Sequence, residues 1–382
     1  MENNSPDNKI NYVELFISKF SEIMKNMGYA NLLIAGKTGV GKSTLINTCF
    51  REDLADVGIG KPVTDKIRCY EKEGFPLRIY DTVGFELTNF EKCKDEIYSL
   101  YEKQIEKGDK NGLIHAMWYC ISSEGTRIEQ TEIDFVNAIS EKIPTIIVLT
   151  KSMNKKCAED LKKIIESKNT KAKNTVILLA ENFYYEDDNG KEIILKSFGL
   201  DRLIEITFDL IPQAQQTAWI NCQKSSLKIK REKAQQIVLL TVAGTFAEGY
   251  IPLPFSDFWT IIPTQITMIA SITSVYGFPF SKALLTGIVS SIIGTSGTTY
   301  LGKLLASNII KLIPGIGTVV GGAIDGAVAG LLTKALGFAY IKVMDMIYEG
   351  KLSKEDFENG KSKEKFKEIY VEELKLLKNR KG

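Results

Sequence analysis

Residues 31–44 read NLLIAGKTGVGKST, a short apolar run that passes directly into a glycine-rich loop and then into the helical stretch LINTCF. The loop Gly36-Lys37-Thr38-Gly39-Val40-Gly41-Lys42-Ser43 satisfies GxxxxGK[ST] in full, in the strand–loop–helix setting that gives the pattern its meaning. Each residue type has a physical task. Glycines let consecutive N–H groups, here those of Gly39, Val40, Gly41, Lys42, Ser43 and Thr44, turn inward around phosphate oxygens. The helix that follows adds the positive end of its dipole. Lys42 can reach terminal phosphates as a point charge, and the Ser43 hydroxyl can ligate Mg²⁺. Phosphate binding is the expected property of this segment.

Further along, Asp81-Thr82-Val83-Gly84 follows the apolar run Leu77–Tyr80. A carboxylate at a strand tip, facing such a loop, can hold Mg²⁺ through its water shell, and the N–H of Gly84 can turn toward a γ-phosphate. Three more runs rich in β-branched and aromatic residues, Ala116–Ile121, Thr145–Leu149 and Thr175–Leu179, alternate with charged periodic segments. Continuous apolar strands separated by helical lengths predict an α/β fold with a parallel sheet covered on both faces. Val13, Phe16, Phe20, Ile23, Met24 and Met27 recur at helical spacing and predict an amphipathic N-terminal helix.

These motifs resemble those of the P-loop GTPases, particularly the Era-like bacterial branch and its relatives among the immunity-related GTPases. The resemblance covers roughly residues 30–210. It implies a doubly wound, mostly parallel sheet, with GTP/GDP and Mg²⁺ as cofactors. By the same resemblance Pro62-Val63-Thr64 is similar to the switch segment, making Thr64 a catalytic residue beside Lys42 and a metal ligand beside Ser43 and Asp81. Thr150-Lys151-Ser152-Met153 resembles the base-recognition motif, with Thr150 and Lys151 as nucleotide contacts. Met153 occupies the carboxylate position, and a thioether is a poor acceptor for guanine N1 and its amine. GTP and ATP therefore both remain open, with Asn154 and Glu181 as substitute base contacts. Phe85 stands where some relatives carry a water-orienting glutamine, so hydrolysis should be slow. Acceleration would call for a partner molecule, a second subunit in a homodimer, or a potassium-type mechanism.

The 382 residues hold 49 basic and 47 acidic side chains, a net charge of +2 that gives no global attraction to nucleic acid and no expectation of DNA binding. The six cysteines are scattered, and His115 is the only histidine. Zinc and disulfide frameworks are thereby disfavoured, and a reducing, cytoplasmic location with membrane association is expected. His115, beside an apolar run, reads as a structural histidine.

Charge is unevenly distributed. Residues 240–342 carry only eight charged side chains in 103 positions, against 25% for the whole chain. Residues 258–281 and 283–302 carry none, long enough to flag membrane helices, and glycines 317, 321, 322, 326 and 330 recur at GxxxG spacing. Yet Ile262, Ile266, Ile269 and Ile272 recur as one face of a protein-buried helix would, so a glycine-rich helical bundle is the competing reading. Lys224, Lys228, Lys230, Arg231 and Lys233 precede this region; such a run reads as a solvated face, and its place beside a candidate membrane segment also offers contact to anionic lipid. Ser353-x-x-Asp356 resembles a capping box opening a tail helix.

The expected organisation is an N-terminal helix (1–29), a G domain (30–211), a basic linking helix (212–240), an apolar helical domain (241–345) and a charged helix (346–382). The order of a GTPase domain, a basic linker and then IPLPFSD resembles bacterial GTPases carrying the all-α C-terminal domain called DUF697. The leading expectation is a nucleotide-dependent switch coupled to a membrane-associated helical domain. Two alternatives stand beside it: a ribosome- or RNA-associated assembly GTPase, and a dynamin-like self-assembling GTPase. The tail 351–382, with ten basic and seven acidic residues, is too mixed for a dedicated RNA arm.

Overall fold

The computed structural model describes residues 12–51, 61–82, 90–108, 112–125, 127–186, 190–244, 258–278, 326–353, 355–356 and 361–379, with the side chains of 258–262, 326–328 and 363 outside that set. The chain divides into two compact units, one spanning Met27–Ser226 and the other joining Met1–Asn26 to Leu227–Gly382.

In the first unit, β1 (Ala30–Ala35) leads through the glycine loop into α2 (Lys42–Cys49). Then come β2 (Lys61–Pro62), β3 (Ile67–Lys72), β4 (Phe75–Thr82), α3 (Phe90–Glu106), β5 (Ala116–Ser122), α4 (Gln130–Ser140), β6 (Thr145–Thr150), α5 (Lys155–Ser167) and β7 (Asn174–Ile177). The sheet order is β2-β3-β4-β1-β5-β6-β7. β4, β1, β5, β6 and β7 are parallel neighbours, whereas β2 and β3 run antiparallel to the strands beside them. All six residues of β1 and of β6 are buried, as continuous apolar runs in a sheet covered on both faces require.

The two faces separate along β5. Met117, Tyr119 and Ile121 join Leu33 and Leu149 in a core with Ile97 of α3, Val136 of α4 and Leu161 of α5. Trp118 points the other way, stacked on Phe50 at 6.0 Å and edge-on to Trp219 at 5.8 Å. Both indoles are satisfied: Trp118 Nε1 donates to Thr207 Oγ1 at 2.9 Å and Trp219 Nε1 to Ile204 O at 3.1 Å. These partners come from α6 (Leu200–Leu210), which precedes the helix of Trp219, α7 (Gln213–Cys222). At the start of the sheet, Asn31 N donates to His115 Nδ1 at 3.0 Å, and burial pushes that imidazole down to about 4. His115 is therefore a neutral acceptor for a backbone amide.

The structure differs from the sequence reading in three places here. β2 and β3 extend the sheet with antiparallel strands that hydropathy did not mark, because IRCYEK is buried only at Ile67. A separate hairpin, β8 (Phe183–Glu186) with β9 (Glu192–Leu195), follows β7. The linking helix expected over 212–240 is broken at Gln223–Ser226. Gln223 Oε1 accepts from Ser225 N and Ser226 N, both at 2.8 Å, while Lys224 N donates to Cys49 O at 2.9 Å. The side chain of Gln223 and the end of α2 thus take amides that a continuous helix would have used.

The second unit contains α1 (Tyr12–Asn26), α8 (Leu227–Val242), α9 (Phe258–Tyr276), α10 (Gly326–Tyr348) and α11 (Lys361–Asn379). α9 packs on α1, α8 and α10, and α10 also packs on α8 and α11. Ile266, Met268, Ile269, Ala270, Ile272, Val275 and Tyr276 have no exposed surface, so neighbouring helices cover α9 nearly all round. Ile266, Ile269 and Ile272 of the repeating series are thus core residues of a helical bundle, while the side chain of Ile262 lies outside the described residues. Among the described residues no helix is long and apolar enough to cross a membrane. The second uncharged run, 283–302, and glycines 317, 321 and 322 lie outside the described residues.

The basic cluster is partly spent inside this unit. Lys230 is fully buried, its Nζ donating to Val275 O at 3.1 Å and Tyr276 O at 3.0 Å, where a cation complements the carbonyl end of α9. Arg231 Nε pairs with Asp345 Oδ2 at 2.7 Å, and Tyr276 OH donates to Asp345 Oδ1 at 2.6 Å. Burial lowers the pKa of Lys233. Lys230 is thus structural, neither solvated nor free to meet lipid, and Arg231 is a half-exposed ion-pair partner of Asp345. In α11, Phe366, Ile369, Tyr370, Leu374 and Leu377 form a buried stripe. Ser353 N donates to Asp356 Oδ2 at 2.9 Å, while Phe357 lies outside the described residues.

Among the described glycines of these helices, Gly337 makes a tighter contact than Gly330 of the GxxxG series. A Cβ on Gly337 would run into Val238 Cγ2 and approach Met268 Sδ to 3.2 Å, whereas one on Gly330 would meet Val242 Cγ1 at an ordinary 3.6 Å. G337A should lower the stability of the full chain by about 1–3 kcal/mol, the usual cost of overpacking. G330A should change it by less than half as much, both read from far-UV thermal melts.

Candidate nucleotide site

β1 ends at Ala35 and the loop passes immediately over β5. At Gly36 (φ 141°) any Cβ would collide with the carbonyl oxygen of Cys120, so no other residue fits there without moving the sheet. Gly41, at φ 94°, is the N-cap of α2. Lys42 curls back over the loop, its Nζ donating to Gly36 O at 2.7 Å and Lys37 O at 3.2 Å. Val40 is buried, and Ser43 and Thr44 are exposed on the first turn of α2.

Asp81 lies near the end of β4, beside β1 with Ile34 as its register partner. Its Oδ1 is buried and has no hydrogen-bond partner. Burial pushes the carboxyl up from 3.8 to about 6, against the opposing charges of Lys42 and Arg68. A buried carboxylate short of positive charge, beside a loop whose lysine is held only by carbonyls in the bonds described, is what a Mg²⁺–phosphate pair would complete. The residues present fit that group, which Ser43 and Asp81 would hold.

Thr64 is placed differently from the expectation that it closes on the metal. It sits between β2 and β3, where its Oγ1 donates to Glu96 Oε2 of α3 and accepts from Ile67 N at 3.0 Å. Lys66 N donates to the same Glu96 oxygen at 3.0 Å. Gly84 and Phe85 lie outside the described residues.

Thr150, at the end of β6, reaches the loop, and Lys151 follows it. Thr150 Oγ1 bonds to Val40 O at 2.5 Å and to Ile121 O at 3.1 Å, tying the phosphate loop and β5 to β6. Lys151 adopts φ 53° and pairs with Glu124 at 3.5 Å. Met153 lines a cavity of about 300 Å³ with Lys155, Leu179 and residues 194–198 of the hairpin return. Asn154 is committed elsewhere: its Oδ1 caps α5 by accepting from Cys157 N at 3.2 Å. Glu181 is exposed.

Two features had no signal in the sequence. Lys37 Nζ donates to Glu129 Oε1 at 3.0 Å and to Glu132 Oε2 at 3.2 Å, pairing residues 92 and 95 positions apart. The hairpin brings residues 194–198 over Met153, although neither FYYE nor EIIL marks itself as part of a site.

Comparison with known proteins agrees with this arrangement. Residues 31–151 match the family described as 50S ribosome-binding GTPase, and residues 214–371 match a domain of unknown function, DUF697. The chain carries a P-loop GTPase domain followed by a DUF697 domain. Its relatives include magnetosome membrane protein 22 of Magnetospirillum gryphiswaldense, 28% identical over 109 residues, which are 28% of this chain and 56% of that protein. Mouse (Mus musculus) septin-2 is 31% identical over 160 residues, covering 35% of this chain and 44% of septin-2. The chain thus spans about half the length of the curated relatives it matches. Among solved structures, the septin GTPase domain of Chlamydomonas reinhardtii aligns at 13% identity and a TM-score of 0.31, covering 44% of this chain and 85% of that one. Toc33 of Arabidopsis thaliana, a dimerization-deficient mutant, aligns at 18% identity and a TM-score of 0.30, covering 56% of this chain and 95% of that one.

The state of Asp81 has a measurable sign. Its proton is held more tightly in the folded than in the unfolded chain. That contribution is full below pH about 4 and is lost as pH rises through about 6. Asp81→Asn should therefore stabilise the nucleotide-free protein at pH 7.5 by about 1–3 kcal/mol. The same variant should abolish the enhancement of nucleotide binding by Mg²⁺, as thermal melts and titrations with and without the ion would record.

Proposed function

We propose that the chain binds GTP with Mg²⁺, hydrolyses it slowly, and acts as a switch whose nucleotide state is passed to its helical unit at a membrane surface. The observation that carries this reading is the buried, unpartnered Asp81 oxygen beside a complete phosphate loop. In the bound state the amides of residues 39–44 surround the phosphates, and Lys42 exchanges Gly36 O and Lys37 O for β- and γ-oxygens. Ser43 and Asp81 would hold Mg²⁺, which would supply charge neutralisation to the bound phosphates. Thr64 must give up Glu96 to join them, and this ordering step is the switch. Slow turnover is supported by Phe85 at the water-orienting position. The membrane link is supported by the name of the magnetosome relative and by the uncharged stretch 283–302.

Base selection should be weak. Thr150 is occupied with Val40 and Ile121, and Met153 offers no carboxylate. Calorimetry with Mg²⁺ should show binding of GTP, and of ATP within roughly tenfold, with Lys42→Ala eliminating both. Met153→Asp should raise the preference for GTP by about 10–100-fold, the worth of a regained buried polar pairing. Absence of heat for both triphosphates with wild-type protein would sink the nucleotide reading. Equal sedimentation with anionic and neutral vesicles, whatever the nucleotide, would sink the membrane coupling.

A further inference from the structure

Lys37 belongs to the phosphate loop by sequence, yet its side chain points away from the loop's Lys42 and into α4. There it meets two carboxylates. Glu129 Oε1 is 3.0 Å from Lys37 Nζ, and Glu132 Oε2 is 3.2 Å away. Glu132 is only 4% exposed. Its other bonds come from Tyr119 OH on β5, at 3.0 Å, and from Glu129 N, at 3.1 Å, the latter half of a capping box that opens α4. Burial works against the charge on Lys37, but the hydrogen bonds to Glu129 and Glu132 outweigh it and its pKa is raised. A buried carboxylate with these three donors is a fixed post, and Lys37 is moored to it.

The mooring matters because of what else Lys37 does. Its own carbonyl, with that of Gly36, receives the Lys42 ammonium. We infer that Glu132 of α4 is a positioning residue for nucleotide binding, acting through Lys37 to hold the first turn of the phosphate loop in its open form while Lys42 moves between loop carbonyls and phosphate oxygens. The pairing has an electrostatic side as well. Two carboxylates beside a triphosphate site would repel the ligand, and the Lys37 ammonium neutralises part of that charge. The proposal rests on the nucleotide-binding reading above and adds to it a residue outside the loop.

The test uses the full chain and a fluorescent GTP analogue with Mg²⁺, measuring affinity and dissociation rate alongside the melting temperature of the nucleotide-free protein. Lys37→Met and Glu132→Gln should each weaken binding about tenfold, mostly through faster dissociation, the scale of one lost charge-assisted hydrogen bond. The double variant should bind about as well as either single one, because both break one linkage. Lys37→Arg, which can span both carboxylates, should recover most of the affinity lost in Lys37→Met. Wild-type binding by Lys37→Met would overturn the proposal. So would fully additive losses in the double variant, or no rescue by arginine. Should Glu132→Gln fail to fold, the contrast between methionine and arginine at position 37 decides the matter. If Lys42→Ala binds like the wild type, the nucleotide reading fails instead, and the two failures stay distinct.

Discussion

Thr150 Oγ1 on the carbonyl of Val40 is the contact on which the candidate site depends. A glycine-rich loop has little side-chain packing of its own, so its shape must be imposed from outside. Thr150 ties it to β6, the carbonyl of Cys120 bounds it beneath Gly36, and Lys37 anchors it to α4. Each of these groups is carried by a regular element or by its end. The loop therefore presents its amides from a frame made by β5, β6 and α4, which is how a flexible sequence can act as a preorganised anion cradle.

The parts of this arrangement that the sequence announces are those where one local pattern decides the outcome. β1, β5 and β6 are buried on both faces, which leaves near-continuous apolar runs. The phosphate loop is legible because its chemistry needs particular residues at particular offsets. What stays hidden depends on distant partners. Lys37 is an unremarked variable position until Glu132, 95 residues away, gives it a carboxylate. β3 lies against β4 with one buried residue, so neither alternation nor a long apolar run betrays it. The break at Gln223 joins that residue's own side chain, which takes two amides, to the carbonyl of Cys49 at the end of α2, and only the first of these partners lies in the run 212–240.

The helical unit shows the same limit from the opposite side. Its composition suggests a membrane segment, and its basic run suggests an anionic surface. In the structure, Lys230 closes the carbonyl end of α9 and Arg231 pairs with Asp345, so charge that looks peripheral in the sequence is used for packing. Small side chains are likewise ambiguous. Gly337, outside the repeating series, meets α8 and α9 more closely than Gly330 within it. Spacing identifies candidates for close approach, and only the facing residue decides which one is used.

The placement of Thr64 has a mechanical consequence. It lies in the turn joining β2 to β3, and β3 pairs with β4 in a register that sets Arg68 opposite Asp81. β2 is the outermost strand and only two residues long, so the segment that carries the threonine is held to the sheet by the shortest seam in it. Peeling that seam would cost few ladder bonds and leave the deeper strands, with the carboxylate they carry, undisturbed. In the proposed switch the movement would then fall at the rim of the sheet, once Thr64 leaves Glu96, while the strands that carry the carboxylate keep their places.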